Sequence, residues 1–130
     1  MQRWKTSDPG SEANPGSGRY PPVKRGDLVA VALPGDFGKP RPALVIQSDL
    51  FADHATVTVL PVTAAATEAP LFRLPIDPSP DNGLRQPSFV MADKAMSIRS
   101  EKLGAPFGRL ADADMIRVNR ALALFLGIAS

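Results

Sequence analysis

Residues 38–47 read Gly38-Lys39-Pro40-Arg41-Pro42-Ala43-Leu44-Val45-Ile46-Gln47. Pro40 and Pro42 each fix their own φ, and each pushes the preceding residue, Lys39 or Arg41, toward extended geometry. Residues 43–47 then carry no alternation of apolar and polar side chains beyond Gln47, the pattern of a strand buried on both faces. The chain therefore enters a buried strand with one guanidinium held at its mouth on a stiff backbone. Arginine is always charged and presents a planar fork of donors matched to phosphate or carboxylate. Arg41 is thus a candidate anion site.

Outward from this stretch the signals are mostly β. Residues 27–32 read as a first strand, introduced by the Lys24-Arg25-Gly26 turn. Pro34-Gly35-Asp36-Phe37-Gly38 is the loop between the two strands, since Gly and Pro dominate where chains bend. On the other side, residues 56–60 alternate Thr and Val, which suits a half-exposed strand closed by Pro61-Val62-Thr63. A small-residue loop over 64–69 leads to a fourth strand at 71–76. Asp81-Asn82-Gly83 is a strong turn signal, and strands at 88–92 and 96–98 follow, with a short one around Phe107. The final segment changes period. Met115, Val118, Leu122, Phe125 and Leu126 follow helical spacing, a stripe for core or dimer packing. Asp112 and Asp114 sit in the first turn, and Gly127 is a natural stop. The predicted class is mostly β: one helix packed across a compact, strongly bent antiparallel sheet or small barrel.

Composition bounds the function. A chain of 130 residues, 44% hydrophobic, supports one domain with a real core. The net charge of +2 permits nucleic acid as a partner through a local patch but does not demand it. With no cysteine and His54 alone, thiolate or multi-histidine metal sites and a two-histidine acid–base pair are excluded; no metal or cofactor is expected. His54 reads as a loop surface residue. No apolar run reaches membrane-spanning length, and the N-terminus lacks a hydrophobic signal core, so a cytoplasmic protein without membrane association is the expectation. Residues 1–22 are rich in Ser, Gly, Pro and charge, with Trp4 and Tyr20 as the only aromatics, and are predicted to be a disordered extension of a folded domain at 23–130.

Several short motifs occur in a telling order: Arg25-Gly26-Asp27-Leu28, Lys39-Pro40-Arg41-Pro42-Ala43-Leu44-Val45-Ile46, Leu60-Pro61-Val62-Thr63, Asn82-Gly83-Leu84 with Ser88-Phe89-Val90, and Gly108-Arg109-Leu110. Each alone is weak, but together they make the folded part of the chain resemble the MazF/PemK toxins. The resemblance implies an SH3-like β-barrel with a C-terminal helix, of the kind shared by CcdB and MazF, and a homodimer. It also implies a metal-independent endoribonuclease that cuts single-stranded RNA and is held inactive by a cognate antitoxin.

Carried over residue by residue, the resemblance puts the catalytic arginine on Arg41 and the catalytic hydroxyl on Thr63. It puts an acid of the dimer groove on Asp93, next to Lys94. Two departures stand out: the loop before Arg41 lacks the glutamate common in the family, and Met91 stands where some relatives carry a further catalytic arginine. Further RNA-contact candidates are Lys39, Arg85 and Arg99 for phosphates and Phe37 for base stacking. The chemistry fits: RNA is cut without metal when its own 2′-OH attacks the neighbouring phosphorus. A donor aimed at the developing charge is worth about 3–4 kcal/mol. A guanidinium, however, does not give up its proton in proteins and is a poor base, which leaves Asp93 as a candidate base. Simpler roles stand beside these: an ion pair of Arg41 with Asp36, a turn cap for Thr63, a solvated pair for Asp93 and Lys94. The competing functions are a CcdB-like gyrase poison acting by binding alone, echoed weakly in the terminal Leu126-Gly127-Ile128, and an inactive relative that only binds RNA or antitoxin.

Overall fold

The computed structural model describes residues 23–32, 39–65 and 71–129; the predicted extension 1–22 and Phe37 lie outside the described residues. Along these residues run β1 (Asp27–Ala32), β2 (Pro40–Val45), β3 (Thr56–Thr63), β4 (Arg73–Ile76), β5 (Ser88–Met91), β6 (Met96–Arg99), β7 (Gly108–Arg109) and the helix α1 (Asp112–Phe125). All pairings are antiparallel, in the order β4-β5-β3-β2-β1-β7, with β6 also paired to β3. An isolated bridge between Val31 and Leu103 returns the chain after β6 to β1. The sheet thereby curls into a half-barrel.

The prolines account for two departures from the predicted boundaries. β2 begins at Pro40 rather than at Ala43, so both fencing prolines lie inside it, opposite Ala32 and Ala30 of β1. The ladder to β3 starts only at Ala43, because Pro40 and Pro42 have no N–H to extend it. Likewise, Pro61-Val62-Thr63 does not close β3 but belongs to it. Pro61 is the last β3 residue paired with β2, and the next two pair with β5, on the side of β3 away from β2, through Val62–Val90 and Thr63–Phe89.

Two hydrophobic clusters flank the central strands. Leu28, Leu44, Leu60, Val62 and Val90 pack with Met115, Val118 and Leu122 of α1. Val29, Val31, Ala43, Val45, Val57 and Val59 fill the inside of the curl with Leu103. Because β1 to β3 bury both faces, residues 43–45 show the unbroken apolar run that the sequence displays. Each fully buried Val or Leu contributes roughly 1.5–3 kcal/mol. Of the helical stripe, Met115, Val118 and Leu122 enter the core, while at its end Phe125 is 44% and Leu126 59% exposed. There α1 has run past the core, and Phe125 meets Phe72 edge-on, with ring centroids 5.1 Å apart.

Polar ties fix the ends. Arg25 donates from Nε to the Ile46 carbonyl (2.8 Å) and from Nη2 to Asn119 Oδ1 (2.7 Å), joining the end of β2 to α1. The chain turns at residues 80–82, where the Asp81-Asn82-Gly83 signal falls, and Gly83 has a positive φ of 69°. The turn belongs to the loop 77–87 and is built on the buried Asn82, whose Oδ1 accepts the Ser79 and Leu84 N–H groups. Gly108 crosses so near that a Cβ there would lie 2.1 Å from the Asn82 carbonyl oxygen.

Candidate active site

The register of β2 on β3 pairs Ala43 with Pro61, Leu44 with Leu60 and Val45 with Val59. Carried two residues further, it sets Arg41 opposite Thr63. Side chains alternate between faces along a strand, and Arg41 shares its face with Ala43 and with its β1 partner Val31. Thr63 lies on that same face, since the intervening Val62 points into the helix-side cluster. The two residues assigned to catalysis thus stand on one face, at the end of the β2–β3 ladder. Arg41 is exposed and Thr63 half-buried. The hydroxyl oxygen of Thr63 accepts the Ala65 N–H at 3.1 Å. That bond is the turn cap anticipated for Thr63, and it fixes the oxygen while leaving the hydroxyl proton to be donated outward. Lys39 is exposed immediately before β2.

Asp93 sits in a 3₁₀ turn after β5 (Ala92–Lys94). It is held by a residue that sequence reasoning passed over. Arg73 of β4 donates from Nε to Oδ1 and from Nη2 to Oδ2 of Asp93, both at 3.0 Å, with the two side chains only 16% and 14% exposed. The Lys94 ammonium lies 3.7 Å from the same carboxylate. The hydrogen bonds from Arg73 outweigh desolvation and hold the Asp93 carboxyl below its ordinary value of 3.8. A carboxylate engaged at both oxygens and so biased toward its charged form is poorly suited to accept a proton. The available signal was Arg73 itself, a charge at an outward position of a predicted apolar strand. The other cations are dispersed. Arg85 is exposed in the loop 77–87, and Arg99 pairs with Glu101 at 2.9 Å.

The family model of the PemK-like, MazF-like toxins of type II toxin–antitoxin systems matches residues 24–126. The chain belongs to this family. The probable endoribonuclease MazF of Mycolicibacterium smegmatis is 47% identical over 108 residues, 82% of this chain and 99% of that protein. Among solved structures, an endoribonuclease in complex with its cognate antitoxin from a Mycobacterial species superposes with a TM-score of 0.70 at 26% identity, covering 83% of this chain and 98% of that one. The Mycobacterium tuberculosis toxin MazF-mt6 gives a TM-score of 0.68, also at 26% identity, over 80% of this chain and 99% of that one. The barrel-plus-helix architecture expected for a MazF-type toxin is the fold that this chain shares with them.

Proposed function

We propose that this MazF-type toxin is an endoribonuclease that cuts single-stranded RNA without a metal ion, using Arg41 and Thr63. The β2–β3 register, which carried two residues beyond Ala43–Pro61 sets Arg41 opposite Thr63, is the observation that supports the reading most in a chain of this family. In the reaction, the 2′ oxygen of the RNA forms a bond to the adjacent phosphorus as the bond from phosphorus to the 5′ oxygen breaks. The 2′ proton passes to solvent and the departing 5′ oxygen takes one up, leaving a 2′,3′-cyclic phosphate and a 5′-OH. Arg41 lends two or more N–H donors to the phosphoryl oxygens as charge builds on them. Thr63, its oxygen anchored by Ala65, donates to the same group and holds the geometry. Asp93 is assigned an anchoring role with Arg73 rather than that of base.

The partners proposed are single-stranded RNA, a cognate antitoxin protein and a second copy of the chain, acting in the cytoplasm. No helix among the described residues is long and apolar enough to cross a membrane. A second copy is supported by the apolar side chains that α1 and its tail leave in solvent, Ile116, Leu124, Leu126 and Ile128. The deciding experiment incubates the purified protein with a long RNA in EDTA and maps the new 5′ ends. Discrete cuts bearing 5′-OH are expected; intact RNA would overturn the reading, and intact RNA with a poisoned gyrase would favour the binding-only alternative.

A further inference from the structure

Beyond Arg41 and Thr63, the same face carries a row of side chains that the cutting chemistry does not use. Phe89 is the ladder partner of Thr63, and Pro75 is in turn the partner of Phe89; one step along, Met91 is paired with Arg73. Their strand neighbours Val62, Val90 and Ile76 are buried in the helix-side cluster. Phe89 and Met91 are half-buried on the opposite side and belong to neither core cluster. A phenyl ring is therefore presented beside the Thr63 hydroxyl.

We propose that Phe89 is the platform on which the toxin stacks one unpaired nucleobase of its RNA, next to the nucleotide held by Arg41 and Thr63. This inference rests on the RNA-cutting reading above. Cross-strand partners place their Cβ atoms about 4.5–5.5 Å apart, a span comparable with that between a phosphate and the base of its own nucleotide. A phosphate at Thr63 thus brings a base over Phe89. Charge points the same way. The far end of the row is Arg73, whose guanidinium is matched by Asp93 at two oxygens, and the described side chains between Thr63 and that pair, Phe89, Pro75 and Met91, carry no charge. Those uncharged side chains offer an aromatic surface to a base. Aromatic rings bind bases by stacking, which tolerates any base and depends on the π-face rather than on hydrogen bonds.

The test compares the full chain with Phe89→Ala, Phe89→Leu and Phe89→Trp. One readout is anisotropy of a fluorescein-labelled, mixed-sequence single-stranded RNA with 2′-O-methyl sugars, which cannot be cut; the other is the 5′-end map on a long transcript. Far-UV circular dichroism and thermal unfolding report whether each variant is folded, and the Leu and Trp variants keep the position filled. Expected are a loss of about 5- to 150-fold in affinity for Phe89→Ala, the range for one stacked base, a loss nearly as large for Phe89→Leu, and retention in Phe89→Trp. The slope of log affinity on log salt stays unchanged, because no phosphate contact is removed. The transcript map keeps 5′-OH ends but changes its preference at a position next to the cut. Wild-type affinity in Phe89→Ala, equal behaviour of Leu and Trp, or a changed salt slope would overturn the platform. So would a defect confined to antitoxin binding, which would mark a protein contact instead. If wild-type protein binds the probe through Phe89 but leaves the transcript intact, the cutting reading fails and the platform stands.

Discussion

Arg41 and Thr63 are twenty-two positions apart, on strands whose ladder ends two residues short of them, so their roles divide cleanly under substitution. Arg41→Ala removes the fork of donors and is expected to lower RNA cleavage by about 10²–10³-fold. Because Arg41 is exposed and lies outside both hydrophobic clusters, the variant should stay folded, as read by thermal unfolding. Arg41→Lys keeps the charge without the fork and should fall between. Growth arrest on induction, together with antitoxin binding measured separately, checks both; undiminished toxicity of Arg41→Ala would remove Arg41 from the chemistry. Asp93 gives a second residue-level expectation. Its folded carboxyl is held low by hydrogen bonds from Arg73, so the folded state prefers the carboxylate. The stability contributed is present above the ordinary value of 3.8 and is lost as pH falls through the lower folded value. Thermal unfolding of wild type and Asp93→Asn across that acidic range should converge as the pH drops and separate above it.

At the scale of the element, α1 starts without a side-chain cap. Ala111 occupies the N-cap with extended backbone (φ −64°, ψ 150°), and no side chain there accepts a helix N–H. Asp112 and Asp114 complement the helix dipole, and Arg117 bonds Asp114 at 2.9 Å, but neither replaces the missing cap. Ala111→Ser is expected to stabilise the protein by about 0.5–2 kcal/mol, read from urea unfolding, with no effect on RNA cutting. The elements also show what local pattern conveys. β1 was legible to the residue, because the Lys24-Arg25-Gly26 turn and the apolar run after it are local signals. β2 and β3 were misjudged at their proline ends. Pro61 is locally a terminator, yet here it ends only the ladder to β2, and the strand runs on paired with β5.

For the whole molecule, the side chains that the core leaves out carry the prediction. Leu124 is 54% and Ile128 77% exposed on and after α1, a costly surface for a chain that stays alone. Replacing both with Asp is expected to convert a dimer to monomers in sedimentation equilibrium while the helix content is kept. A wild-type protein already monomeric at micromolar concentration would contradict the proposed second copy. The two clusters that bind the sheet to the helix and fill the curl do not involve these residues, so the fold should survive the change.

Periodicity and composition settled by themselves that this chain is mostly β with one terminal helix, and the motif order settled its family, because both are written in residues close together along the chain. Leu44 and Val118 announce burial wherever they are read, since apolar side chains leave water in any fold that provides a core. Tertiary structure alone decided that Arg73 grips Asp93, that Phe89 stands beside Thr63, and that Phe125 and Leu126 end outside the core. Each of these depends on the register between strands distant in sequence, or on how far a helix runs past a sheet. A shift of one residue in that register would turn Thr63 and Phe89 to the other face. Their neighbours Val62 and Val90 hold that register by burial in the helix-side cluster, a contact that exists only once the fold has formed.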